Sequence, residues 1–429
     1  MKKVLIATSF FFLLAFIQTA TAQTSYLHCG NVIDGVSDSI LSEHTLIIEN
    51  NEITAIEKGY QSPDSNVTAI DLKDKTCLPG LIDMHVHLEG QTSPDNYIKQ
   101  FTLNPSDVAF NSIGYAKTTL MAGFTTVRDV GGSGVNISLR DAINAGKVIG
   151  PRIFTAGKSI ATTGGHADPT NGWKNEIEGD PGPKEGVVNG VADSRKAVRQ
   201  RYKDGSDLIK ITATGGVLSL AKSGTAPQFK PDELEAIIQT ANDIGYHVAA
   251  HAHGVEGMQR AIKAGVTTIE HGTLMDEETM ELMKQHGTYL VPTITAGKSV
   301  ADSAKIPGYY PEVVVPKAKA IGPEIQNMFS RAYKSGVNIA FGTDAGVFAH
   351  GKNAKEFSYM VDAGMPPMEA IQSATATAAK VLKMDNRIGT LETGKIADII
   401  AVPGNPLDDV AILENVSFVM KEGIVYKNQ

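Results

Sequence analysis

The chain has 429 residues, 42% of them hydrophobic and 20% charged, with a formal net charge of −8. That composition belongs to an ordinary folded protein, and the length suits one large barrel plus a smaller domain. The mild acidic balance, with no long Lys/Arg run, speaks against nucleic acid as a partner.

Residues 1–22 read as a signal peptide. Lys2 and Lys3 form a basic start, Val4 to Ile17 an apolar stretch, and Ala20-Thr21-Ala22 a small-residue cleavage site. The apolar run is short for a bilayer span, and no charged stop follows it. Gln23, where a lipid-modified chain would carry cysteine, argues against a lipid anchor. The mature protein is expected to be periplasmic or secreted, with no membrane contact after cleavage. Cys29 and Cys77 are the two cysteines. An oxidising compartment permits a disulfide between them, but spacing does not decide between that bond and two free thiols.

Residues 24 to 80 hold short strands broken by turns: Ser25–Cys29, His44–Glu49, Ile53–Glu57 and Thr68–Asp71. From residue 81 the rhythm changes. Eight apolar runs alternate with helix-length segments: Leu81–His87, Thr125–Val130, Arg152–Ala156, Leu208–Thr212, Val248–His251, Thr267–Glu270, Tyr289–Thr293 and Asn338–Phe341. Helical periodicity lies between them, as in Asp232–Ile244, Glu256–Ala264 and Glu277–Gln285. Strict alternation implies a parallel sheet, and eight units favour a closed (β/α)₈ TIM barrel of the α/β class over an open doubly wound sheet. Residues 386–429 return to strands at Ala397–Val402, Val416–Met420 and Ile424–Tyr426. The expected organisation is a barrel over 81–385 and a discontinuous β-sandwich domain from 23–80 and 386–429. Two stretches, Thr162 to Gly190 with Trp173 and Thr295 to Ala320 with Tyr309 and Tyr310, are expected as long loops that shape a pocket.

A (β/α)₈ barrel carries its active site at the C-terminal ends of its strands. The first apolar run ends in His85-Val86-His87, whose alternate side chains share a face. The fourth contains Lys210, a lysine that an apolar strand tolerates only if paired or modified. The fifth ends in His251-Ala252-His253, the sixth in Glu270-His271-Gly272, and the eighth in Gly342-Thr343-Asp344. Imidazoles with carboxylate-type oxygens suit Zn²⁺, with Mn²⁺, Fe²⁺ and Co²⁺ left open.

These motifs, with Pro79-Gly80-Leu81-Ile82-Asp83-Met84 before the first histidine pair and Gly389-Thr390-Leu391-Glu392-Thr393-Gly394-Lys395-Ile396-Ala397-Asp398 near the end, resemble the amidohydrolase superfamily. The resemblance is to its binuclear, carboxylated-lysine subtype, in the imidazolonepropionase-like branch that includes Xaa-Pro dipeptidases and ochratoxin-hydrolysing amidases. It implies two divalent ions. His85, His87 and Asp344 would hold one, His251 and His271 the other, and a carbamate made from Lys210 and CO₂ would bridge them. His253 could exchange roles with His251, and is read here as a donor that either supports a ligand from behind or faces the substrate. The resemblance also points to His166, in Thr163-Gly164-Gly165-His166, as a substrate-facing donor.

The expected reaction is cleavage of a peptide or N-acyl amino acid bond by a metal-bridging hydroxide, with Asp344 moving the proton and His166 or His253 stabilising the oxyanion. The substrate would be a small molecule or dipeptide, ochratoxin-type amides among the candidates. Related enzymes often assemble, so a homo-oligomer is expected. A cyclic-amide hydrolase stays open as a rival. A deaminase typically uses one ion without the lysine, and a non-catalytic scaffold typically loses ligands. No G-x-S-x-G elbow supports a serine hydrolase.

Overall fold

The computed structural model describes residues 24–63, 67 and 69–429; the expected signal peptide lies outside them. Strands β1 (Thr24–Val32), β2 (Leu41–Glu49), β3 (Glu52–Lys58) and β4 (Ala69–Pro79) precede the barrel strands β5 (Leu81–Val86), β6 (Phe124–Asp129), β7 (Arg152–Thr155), β8 (Ile209–Thr212), β9 (Val248–Ala252), β10 (Thr268–His271) and β11 (Tyr289–Val291). Three more follow: β12 (Ile399–Pro403), β13 (Phe418–Lys421) and β14 (Ile424–Asn428).

The first four strands and the last three form one seven-stranded sheet, in the order β14-β13-β12-β4-β1-β2-β3. The expected sandwich is therefore built from a single sheet that curls on itself. Leu27, Leu46, Leu72, Ile399 and Phe418, from strands across that order, share one core. The edge strand β3 bonds back to the segment entering β12, through Ile53 N to Lys395 O (2.8 Å) and Gly394 N to Ile53 O (2.8 Å). Cys29 and Cys77, on the paired strands β1 and β4, form a disulfide with Cα atoms 6.0 Å apart. Arg152 of β7 ties this sheet to the barrel by ion pairs to Asp398 (2.5 Å) and Glu422 (2.7 Å).

Strands β5, β6, β8, β9 and β10 are buried at every position, as expected for a parallel sheet covered on both faces. Parallel ladders join β5-β6-β7 and β8-β9-β10-β11. Single bridges complete the ring. Ile160 N reaches Lys210 O (2.8 Å) on one side of the break. On the other, Ala340 N bonds Leu290 O (2.9 Å) and Met84 N bonds Phe341 O (2.9 Å). The eighth strand expected at Asn338–Phe341 is thus an irregular segment. The chain leaves extended geometry just beyond it, at Asp344 (φ +62°).

Helices α1 (Pro105–Met121), α2 (Val135–Asn144), α3 (Val191–Asp204), α4 (Pro231–Asp243), α5 (Val255–Ala264) and α6 (Glu277–His286) connect the barrel strands. Gly265 (φ +102°) and Gly287 (φ +67°) close α5 and α6 in the left-handed region that a Cβ disfavours. The stretch expected as a loop over Thr295 to Ala320 instead contains α7 (Ile294–Ser303) and α8 (Val315–Ile321). Their buried positions are Ile294, Thr295, Ala296 and Val300 in α7 and Ala318 and Ile321 in α8; each helix is short and interrupted by Gly or Pro residues that read as a loop. Helices α9 (Glu324–Lys334) and α10 (Lys355–Asp362) follow.

Candidate metal centre

The barrel brings His85, His87, Lys210, His251, His271 and Asp344 onto one cavity of roughly 190 Å³, together with His166 and His253. Period-two alternation aims His85 and His87 inward from the end of β5. Their Nε2 atoms lie 3.5 and 3.4 Å from the same oxygen, Asp344 Oδ1. Ligand atoms of His85, His271 and Asp344 lie within 4.8 Å of one another.

Five of the six imidazoles are oriented by a hydrogen bond through one ring nitrogen; the buried Nδ1 of His166 has no such partner. His85 Nδ1 donates to Glu270 Oε2 (2.7 Å), and His87 Nδ1 to Gly131 O (2.7 Å). His271 Nδ1 bonds Thr293 Oγ1 (2.7 Å) and His253 Nδ1 bonds Thr273 Oγ1 (2.9 Å). His251 differs: its Nε2 donates to Gly215 O (3.1 Å), which leaves Nδ1 as the free nitrogen. Such outer partners fix the tautomer and ring angle of metal-binding histidines.

His166 stacks on His251 with ring centroids 4.3 Å apart. Its other face is pressed by Gly216, where a Cβ would lie 2.2 Å from His166 Cε1. Only glycine fits there without displacing the ring. Backbone strain collects at the same end of the barrel: His271 (φ +71°), Thr293 (φ +53°) and Asp344 (φ +62°) are all left-handed. Each costs of order 1–3 kcal/mol and persists where the surroundings hold it, most often at functional sites.

Burial dominates the electrostatics. It holds His85, His251 and His271 well below the usual imidazole range. It pushes His87 down to about 4, and His166 and His253 down to about 3. All six rings are therefore neutral at pH 7, the form that binds metal. Burial also brings Lys210 down to about 8, which supplies a neutral amine fraction able to add to CO₂. The ion pairs among the described residues do not include Lys210, so a structural salt bridge does not account for it. Asp344 is pushed up to about 8 by the same burial. Its Oδ1 is buried without a hydrogen-bond donor. A buried carboxylate oxygen with no donor, approached by two neutral imidazole nitrogens, fits a divalent cation, whose charge would reverse that shift.

Sequence reasoning gave no role to Glu270, though it stood in the sixth strand-end motif, and passed over Arg128. Glu270 holds His85, and its other oxygen accepts from Arg128 Nη2 (2.8 Å). Arg128 is fully buried in β6 and also donates to Met84 O (2.7 Å). The signal was present: a charged residue inside the apolar run Thr125–Val130, the same anomaly that singled out Lys210.

The amidohydrolase family model matches residues 76–426. Ochratoxinase of Aspergillus niger is 31% identical over 439 aligned residues, covering 96% of this chain and 89% of that protein. A crystal structure of a Xaa-Pro dipeptidase with methionine bound in its active site superposes with a TM-score of 0.92 at 54% identity, covering 94% of this chain and 100% of that one. A prolidase complexed with N-methylphosphonate-L-proline superposes with a TM-score of 0.87 at 32% identity, covering 95% and 100%.

Proposed function

The chain belongs to the amidohydrolase family, and on that premise we propose that it is a binuclear metal-dependent amidase that releases an amino acid from a dipeptide or N-acyl amino acid. The observation that carries this reading is the buried, donor-free Asp344 Oδ1 facing His85 and His87 Nε2 in the cavity that also holds Lys210. The similarity to a Xaa-Pro dipeptidase, a prolidase and an ochratoxinase supports the substrate class.

His85, His87 and Asp344 would hold one ion, His251 through Nδ1 and His271 through Nε2 the other, with carboxylated Lys210 between them. Zn²⁺ is the ion this donor set favours. Bound there, divalent ions supply Lewis acidity toward an amide carbonyl and lower the pKa of water toward neutrality. Asp344 takes a proton from the attacking water and passes it to the leaving nitrogen as the C–N bond breaks, giving a carboxylate and an amine. His166, and His253 through Nε2, are neutral and lie on the same cavity, where either can donate to the developing oxyanion. The signal over residues 1–22 and the Cys29–Cys77 disulfide support an exported protein.

The test is hydrolysis of Xaa-Pro dipeptides, N-acyl amino acids and ochratoxin A by the zinc-loaded protein and by Asp344→Asn. Compared at equal zinc content per chain, so that ion loss is not scored, amino acid release that falls in kcat far more than it rises in KM supports the proton-carrier role. Equal turnover by the variant removes it.

A further inference from the structure

We propose that Lys317, on α8, is a positioning residue: its ammonium gathers three carbonyls of the segment that leaves β8, and so holds His251 and His166 in place for the ion at His251 and His271. This assignment rests on the binuclear amidase reading above and names what sets one half of that site.

The segment in question runs over 213–228. Its two legs are joined at the base, where Gly215 N donates to Ala226 O (3.0 Å) and Gln228 N to Ala213 O (2.9 Å). Beyond that base, no backbone–backbone hydrogen bond among the described residues reaches 216–222. Lys317 supplies the missing tie. Its Nζ donates to Gly216 O (3.0 Å), Ser219 O (2.6 Å) and Ala221 O (2.9 Å). An ammonium carries three protons and no acceptor, so three converging carbonyls satisfy it fully and are satisfied in turn. Its stem is half-buried and passes Gly224, where a Cβ would lie 3.4 Å from Lys317 Cδ.

The backbone held in this way is the backbone that seats the rings. Gly215 O accepts from His251 Nε2 (3.1 Å) and from Thr214 Oγ1 (2.8 Å). The first of these bonds is what leaves His251 Nδ1 for an ion. One residue on, Gly216 presses on His166, which stacks on His251. His166 has no hydrogen bond at its buried Nδ1, so its ring depends on that packing. The other half of the centre is held separately, His85 by Glu270 and His87 by Gly131 O. Release of Lys317 should therefore act on one ion and spare the other.

The test is stepwise zinc uptake by metal-free protein in competition with a chromophoric chelator. The native chain is set beside Lys317→Met, which keeps the stem and removes the charge, and Lys319→Met, an exposed lysine of the same helix. One of two uptake steps should weaken about 10–100-fold in Lys317→Met while the other holds, and Lys319→Met should match the native protein. Lys317→Cys should behave like Lys317→Met, and should recover once alkylation with 2-bromoethylamine rebuilds an ammonium on a stem of equal length. That pair gives the same comparison if Lys317→Met does not fold. At saturating zinc, kcat on a cleaved amide should fall about 10-fold or more in Lys317→Met with a smaller change in KM, as expected for misplaced groups. Two steps weakened equally, two steps unchanged, or no recovery on alkylation overturns the positioning role and leaves the amidase reading standing wherever amides are cleaved. If no amide is cleaved but one step weakens and recovers, the positioning role stands and the amidase reading falls. A native chain that takes up fewer than two ions overturns both the role and the binuclear site.

Discussion

Glu270 Oε2 accepts from His85 Nδ1 at 2.7 Å while its Oε1 accepts from the buried Arg128 at 2.8 Å. The guanidinium fixes the carboxylate, and the carboxylate fixes the ring that faces Asp344. Outer partners of this kind are typically worth 10–100-fold in metal affinity or activity. Glu270→Gln should lower zinc affinity by about that factor, measured by competition with a chromophoric chelator. Unchanged affinity would show that His85 is held by packing alone.

Lys210 lines the cavity as a buried amine shifted down to about 8. If its carbamate completes the site, zinc reconstitution of metal-free protein should speed up with added bicarbonate. Lys210→Ala should be insensitive to bicarbonate and should lose activity by about 100-fold or more, beyond the usual loss of an outer partner. Reconstitution indifferent to bicarbonate in the native protein would remove the carbamate.

Glu356 of α10 anchors the first turn of α7, accepting from Ile294 N (2.7 Å) and Thr295 N (2.7 Å). Complete burial pushes its carboxyl from 4.5 up to about 8. Between those values the folded state keeps a proton that the unfolded chain has released. Its contribution to stability is therefore full below about 4.5 and lost as pH rises through about 8, at about 1.4 kcal/mol per pH unit. The cost of Glu356→Gln in urea denaturation should shrink from pH 5 to pH 8. A cost that grows with pH would mean that its donors hold an ionised carboxylate.

The Cys29–Cys77 disulfide spans 48 positions between paired strands. Closing a loop of that size removes denatured-state entropy worth about 4 kcal/mol. Replacing both cysteines with serine should lower the unfolding free energy by about that amount under oxidising conditions, and by little when the native protein is assayed reduced. An equal loss in both states would place the effect in packing rather than in the crosslink.

Much of this architecture was legible because a few local rules carried it. His85-Val86-His87 and His251-Ala252-His253 follow period-two alternation, and the strand-to-helix rhythm from residue 81 marks the parallel barrel. What escaped depended on distant partners. The segment at 338–341 bonds both neighbours without a regular ladder, and its bend at Asp344 belongs to the site rather than to strand propensity. Helices α7 and α8 are short, with Gly297 packed against Ile325 and Lys317 bonded to Gly216 O, contacts that local periodicity does not show. The roles of Arg128 and Glu270 emerge only when β10 faces β5 and β6 across the barrel interior.

The most direct measurement is the metal content of the native protein after exhaustive dialysis against trace zinc, set beside that of Asp344→Asn. Two ions per native chain, and fewer in the variant, are expected. A native chain that retains no ion, yet still cleaves amides in the presence of a strong chelator, would contradict the metal centre and every role assigned around it.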